Sequence, residues 1–322
     1  MTGTRLARVA AGALALALAV SMGVGTTRLA PWDVLSADVQ MRALVATVLW
    51  EVRAPRTVLA AMTGASLGLS GAVLQGLFRN PLADPGIIGV SATAALGAVL
   101  TFHFAIATPI AGGLFGGFVG ALLLAALAGR GAGTLTLVLA GVAISSLAVA
   151  LTSLALNLAP SPFAAYEIMF WLLGAVADRS WREVTATLPF VVIGWAMLLA
   201  TGRGLAALTL GEDVARSMGL AQGRLRGLAI AGTACCVGAS VAASGGIGFV
   251  GLVVPHLLRP LVGHDPRRLL PFSAAGGAVL LLTADIAVRL VPAAQELKLG
   301  VATALVGAPV FLWQVLRLRG IR

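Results

Sequence analysis

Few residues in this chain could do chemistry, and their spacing limits what that chemistry can be. Asp285 and Arg289 stand one helical turn apart inside a long apolar run. Charges placed there are costly and tend to mark ion or proton paths. Asp285 lies six residues from the expected end of its run, about 9 Å of helical rise, so the i,i+4 pair reads as an interfacial ion pair rather than a relay. His103, His256 and His264 show no ligand spacing, and Cys235 and Cys236 are adjacent in an apolar run. That pattern offers neither a metal site nor a disulfide framework. No nucleotide-binding or hydrolase motif is present, so catalytic residues are not expected here.

The most charged internal stretch is residues 210–226, LGEDVARSMGLAQGRLR. As a helix it puts Glu212, Asp213, Arg216 and Ser217 on one side and Val214, Ala215 and Met218 on the other. Glu212 and Arg216 are spaced as an i,i+4 pair. Gly219 is placed to end the helix, and residues 222–226 can begin another. Such a compact helix–turn–helix suits docking to a soluble partner; a loop lying on lipid headgroups is the other reading.

The elements that position these residues follow from composition. Of 322 residues, 59% are hydrophobic and 11% charged, with a mean hydropathy of +1.00. Repeated apolar runs near span length indicate an all-α polytopic membrane protein. Ten spans are expected, near 7–27, 57–78, 86–107, 109–129, 134–158, 186–201, 226–244, 247–262, 270–291 and 299–317, in a single transmembrane domain over residues 1–322. The first could be a signal peptide; its length and the lack of a clear cleavage site favour a retained helix. The run at 247–262 is short and contains Pro255, so it is expected to sit within protein. Residues 28–56 read as a polar outer segment. Residues 160–185 read as a re-entrant or interfacial segment, since the apolar piece at 168–176 is too short to span.

With both termini cytoplasmic, fourteen Arg or Lys residues fall inside and eight outside, in keeping with the positive-inside rule. The net charge of +10 is then largely a topology signal, and nucleic-acid binding is not expected. The same orientation makes residues 203–226, between the sixth and seventh spans, cytoplasmic.

Three long motifs, in order, resemble one family. Residues 77–91, LFRNPLADPGIIGVS, residues 244–271, SGGIGFVGLVVPHLLRPLVGHDPRRLLP, and the C-terminal ADIAVRL and GVATALVGAPVFLW are similar to signatures of the iron-complex and cobalamin ABC importer permeases. The resemblance implies ten helices, a second permease subunit in a homodimer, and two cytoplasmic ATPase subunits that carry ATP and Mg. It further implies a periplasmic substrate-binding protein and residence in a bacterial inner membrane, with no cofactor on this chain. By matching position, Gly211, Glu212, Asp213, Ala215, Met218 and Gly219 are expected to couple to the ATPases. Arg53, Arg56 and Arg289 are expected to be exposed cations that dock the binding protein, and Asn80, Leu82 and Thr134 to form the cytoplasmic gate. An iron complex, a ferric siderophore or haem, is the first expected cargo, with cobalamin as the alternative. The rival of another class is an ion-coupled secondary transporter or channel, which would need paired buried charges. One departure stands out: the family often has a proline before its last helix, where this chain reads ELKLG with Lys298.

Overall fold

The computed structural model describes residues 3–25, 31–35, 38–104, 106–129, 133–291 and 296–319. Arg28, Arg130 and Arg322, which enter the charge balance above, lie outside the described residues. The described residues form helices and connecting turns, without strands. In chain order the α-helices are α1 (Gly3–Gly23), α2 (Val39–Thr47), α3 (Ala54–Leu77), α4 (Val90–Phe104), α5 (Pro109–Ala128), α6 (Thr134–Asn157) and α7 (Pro162–Leu172). Then follow α8 (Trp181–Ala200), α9 (Gly202–Leu208), α10 (Glu212–Ser217), α11 (Gln222–Ser244), α12 (Val250–Leu258), α13 (Pro266–Leu290) and α14 (Leu299–Arg319).

Each of the ten expected apolar runs meets a helix. Seven are long and apolar enough to cross a membrane: Thr4–Gly23, Val39–Leu77, Pro109–Leu127, Thr134–Asn157, Trp181–Leu208, Gln222–Ser244 and Pro266–Leu290. Val90–Phe104, Val250–Val262 and Leu299–Leu312 are shorter.

The axis of the bundle is α3, buried on nearly all sides, as suits a helix whose apolar residues circle it. It packs against α13, α11, α12 and α8. Small residues permit the closest of these crossings. A Cβ built on Gly64 would lie 2.2 Å from the carbonyl oxygen of Gly277, and one on Gly277 would lie 2.1 Å from that of Gly64. Backbones meet there at a distance no side chain allows, which is the usual means of helix association in lipid.

Three local expectations change. Residues 39–53 are helical rather than an open polar segment: Asp38 caps α2 by accepting from the Gln40 N–H at 2.9 Å, and a π-helical turn, Val48–Arg53, runs on into α3. The α8 helix starts at Trp181, five residues before the expected span, because Ser180 and Glu183 form a capping box. The short helix within residues 160–185 is α7, set earlier than the apolar piece at 168–176. Ser161 accepts from the Ala164 N–H at 3.1 Å, Pro162 takes the first helical position, and Gly174 at φ 74° lies just past the end.

Candidate functional site

The two ends of the bundle carry different chemistry. At one end, α8 continues through α9 and α10 before the chain re-enters as α11. The six-residue α10 helix is bracketed by two glycines whose backbone only glycine adopts readily. Gly211 has φ 105° and ψ 155°, and Gly219 has φ 83°. After α10 the Leu220 N–H donates to the Ala215 carbonyl at 3.0 Å and the Gly219 N–H to the Arg216 carbonyl at 2.9 Å. Those two bonds are a Schellman cap, which fixes where the short helix stops.

The two-sided reading of this stretch needs correction. Only Ala215 is buried, while Val214 and Met218 are exposed alongside Asp213 and Arg216. A helix of under two turns anchored at one residue cannot hide a whole face. Arg216 pairs with Asp213 at 3.3 Å, one residue nearer than the expected partner, Glu212. Glu212 instead offers its carbonyl to the Gln222 side chain at 3.4 Å. What remains outward is an apolar row, Leu210, Val214 and Met218, flanked by Asp213 and Arg216.

At the same end, the turn after α3 is built by Asn80. Its side chain accepts from the Leu82 N–H at 2.9 Å, and its carbonyl from the Ala83 N–H at 3.1 Å. Asp84 then accepts from the Gly86 N–H at 2.8 Å, while burial pushes its carboxyl above the usual carboxylate range. Leu82 is half-buried, as is Thr134 at the first position of α6. Sequence reasoning missed Gln75. It is buried in α3, donates to the Gly251 and Leu252 carbonyls at 3.3 and 3.1 Å, and accepts from Arg259 at 2.5 Å. A lone amide in an apolar helix was the available signal.

The opposite end holds a buried charge cluster. Arg56 of α3 donates to Asp285 of α13 through Nε at 3.0 Å and Nη2 at 2.7 Å. It also donates to Glu296 through Nη1 at 3.1 Å, with a second short contact between the same pair. Arg289 forms an ion pair with Asp285. It also reaches the Ser21 and Val24 carbonyls of α1's C-terminal end, at 2.8 Å each. Arg53 donates to the Met22 and Gly23 carbonyls at 3.1 Å each.

This arrangement corrects the expectation of exposed docking cations. Arg53 is 3% and Arg289 7% exposed, and only 12% of the Arg56 side chain is accessible. The physical reason is the C-terminus of α1, whose last carbonyls have no intrahelical partners and form the negative pole of the helix. Arg53 and Arg289 satisfy those carbonyls, and Asp285 and Glu296 balance the cluster. The Asp285–Arg289 pair is present at the predicted spacing, but buried and shared with Arg56 rather than interfacial.

Comparison with known proteins places this geometry. The sequence profile of the FecCD transport family matches residues 13–317. The "Cobalamin import system permease protein BtuC" of Halobacterium salinarum is 43% identical over 277 residues, covering 84% of this chain and 73% of that protein. The "Vitamin B12 import system permease protein BtuC" of Salmonella typhimurium is 39% identical over 310 residues, covering 94% and 92%. A solved inward-facing structure described as a metal-chelate type ABC transporter superposes with a TM-score of 0.88 at 33% identity, over 98% of this chain and 99% of that one.

Proposed function

Because this chain belongs to the FecCD transport family and is an ABC importer permease, we propose that its cargo is a corrinoid of the cobalamin class, moved inward by alternating access. The observation that carries this reading is the 39% identity to a vitamin B12 permease across 94% of the chain. It displaces the iron complex, the first expectation from the sequence. A ferric siderophore or haem remains the second reading, favoured by the 33% identity to a metal-chelate type transporter.

In this account the chain is a multi-pass protein of a bacterial inner membrane, paired with a second copy. Two ATPase subunits bind on the cytoplasmic side and a binding protein on the periplasmic side. The positive-inside balance supports placing α9 and α10 in the cytoplasm and the Arg56–Asp285 cluster at the periplasmic end. Exposed Leu210, Val214 and Met218 then form the ATPase contact, on a hook shaped by Gly211 and Gly219 and anchored by Ala215. Glu212 and Asp213 supply its polar edge. Asn80, Leu82 and Thr134 stand at the cytoplasmic mouth as gate elements. Arg53 and Arg289 hold α1 to the bundle, which leaves Arg56 and its neighbour Glu296 as the more accessible members of the cluster for binding-protein docking.

Purification of the tagged protein in mild detergent tests the assembly. An ATPase chain is expected to co-purify and to be lost on replacing Met218 and Val214 with glutamate, which puts charge into an apolar contact. A folded permease that never retains an ATPase counts against the reading and in favour of an ion-coupled carrier.

A further inference from the structure

Lys298, the departure from the family pattern, sits in a concave site that the transport reading above does not use. A cavity of about 590 Å³ opens at the α7 end of the bundle, within the range of small-molecule sites. One wall is the outward face of α7, where Phe163, Tyr166 and Phe170 recur at helical spacing. Tyr166 and Phe170 lie with ring centroids 4.3 Å apart and planes tilted by 35°, making a continuous aromatic surface. The facing wall is the start of α14 and the turn before α8. The Lys298 ammonium lies 5.4 Å from the centroid of Phe170, and Arg179 lines the same cavity.

The charges here are unevenly committed. Glu296 is held by Arg56, and Glu167 and Asp178 are exposed on the rim. Lys298 and Arg179 are half-buried, and neither belongs to an ion pair found among the described residues. The Nε of Arg179 is buried with no hydrogen-bond partner, and burial holds its guanidinium below the usual arginine value despite Glu183 and Asp178 nearby. A half-buried cation that holds no ion pair among the described residues is a place where an anion gains more than it does in water.

We propose that this bowl is a ligand-contact site that takes a bulky molecule with a flat conjugated face and a phosphate or carboxylate group. The flat face lies on Tyr166 and Phe170, and the anionic group meets Lys298 and Arg179. The proposal rests on the permease reading and adds to it the part of the cargo that is recognised. Contact through one aromatic wall and two flexible cations is weak enough to release a passing ligand. The aromatic face also suits a membrane interface, but interfacial anchoring gives no role to Lys298 and Arg179, which form no ion pair among the described residues.

The test is transport into proteoliposomes by the complete complex with its binding protein. Its probes are cobalamin, which carries a phosphate, and cobinamide, which has the same macrocycle without the nucleotide. Lys298→Ala is expected to slow cobalamin transport roughly tenfold, the worth of one charge-assisted contact, and to leave cobinamide unchanged. Lys298→Arg should restore most of the rate, and Phe170→Ala should slow both probes. Equal rates for wild type and Lys298→Ala on both probes overturn the proposal. So does equal slowing of both together with weaker stimulation of ATP hydrolysis by ligand-free binding protein, which marks a protein-docking surface. If the wild type carries neither corrinoid, the cargo reading fails by itself. The bowl is then tested by quenching of the neighbouring Trp171 with haem and with its dimethyl ester. Lys298→Ala must weaken the response to haem alone, and an unchanged response overturns the proposal.

Discussion

Replacing Asp285 with alanine is expected to destabilise the permease by about 3–5 kcal/mol, the usual cost of removing one partner from a buried charge pair. Asp285 is 1% exposed and accepts hydrogen bonds from both Arg56 and Arg289. Without it, two guanidinium groups remain at the end of the bundle, with Glu296 the one carboxylate still paired to them among the described residues. Arg289 also bridges α13 to the C-terminal carbonyls of α1, so the loss should loosen α1 first. Thermal unfolding in detergent should show a lower midpoint, and proteolysis near residue 25 should speed up. Asp285→Asn keeps the shape and some acceptor capacity, so its loss should be smaller. Removing Arg289 in the same chain should recover part of the stability, because the two changes share one interaction. An unchanged melting temperature for Asp285→Ala means that water already satisfies the cluster and that it does not hold the fold.

The second large effect is expected at α10. Gly219→Val places a β-branched residue at φ 83°, a conformation such side chains avoid at a cost of about 1–2 kcal/mol. No atom lies within 4 Å of the added Cβ, so the penalty is conformational and confined to the Schellman cap. The hook is expected to lose its stop while the transmembrane core, remote from it, keeps its stability. ATP-driven uptake should fall by roughly five- to thirtyfold if about one to two kcal/mol of hook geometry is lost from the coupled state, with membrane insertion unchanged. Hydrolysis by the bound ATPases should persist, no longer matched to transport. Gly219→Asn, which tolerates the left-handed region, should retain most of the uptake. If the valine variant transports normally, α10 is a surface turn and the energy enters elsewhere.

These two sites differ in how far the sequence revealed them. The hook is legible because its signals are local: a charged stretch between apolar runs, with Gly219 where a short helix must stop; the part played by Gly211 at its start shows only in the structure. Its details failed for a local reason too. With only six residues in α10, the Arg216 side chain meets Asp213 rather than Glu212. The cluster gives no such local signal. The resemblance that marks Arg53, Arg56 and Arg289 as docking cations implies exposure, whereas all three are buried or nearly so and the compensation for their burial comes from far along the chain. Arg56 meets Asp285 across 229 residues and Arg289 meets Ser21 across 268. No periodicity reports such a contact. By contrast, the early start of α8 was readable, since Ser180 and Glu183 have the capping-box spacing three residues apart. The continuous helix from residue 39 was harder, because the π-helical turn at Val48–Arg53 interrupts the helical period that a sequence pattern depends on.

The central claim is that this chain conducts a corrinoid inward under the control of an attached ATPase. The most direct measurement is accumulation of labelled cobalamin in proteoliposomes containing the permease, its co-purifying ATPase and the cognate binding protein. The account predicts accumulation that requires ATP and the binding protein and survives collapse of the ion gradients. A folded complex that hydrolyses ATP in response to its binding protein but accumulates no corrinoid would contradict the cargo. Uptake that follows an ion gradient without any ATPase would contradict the mechanism.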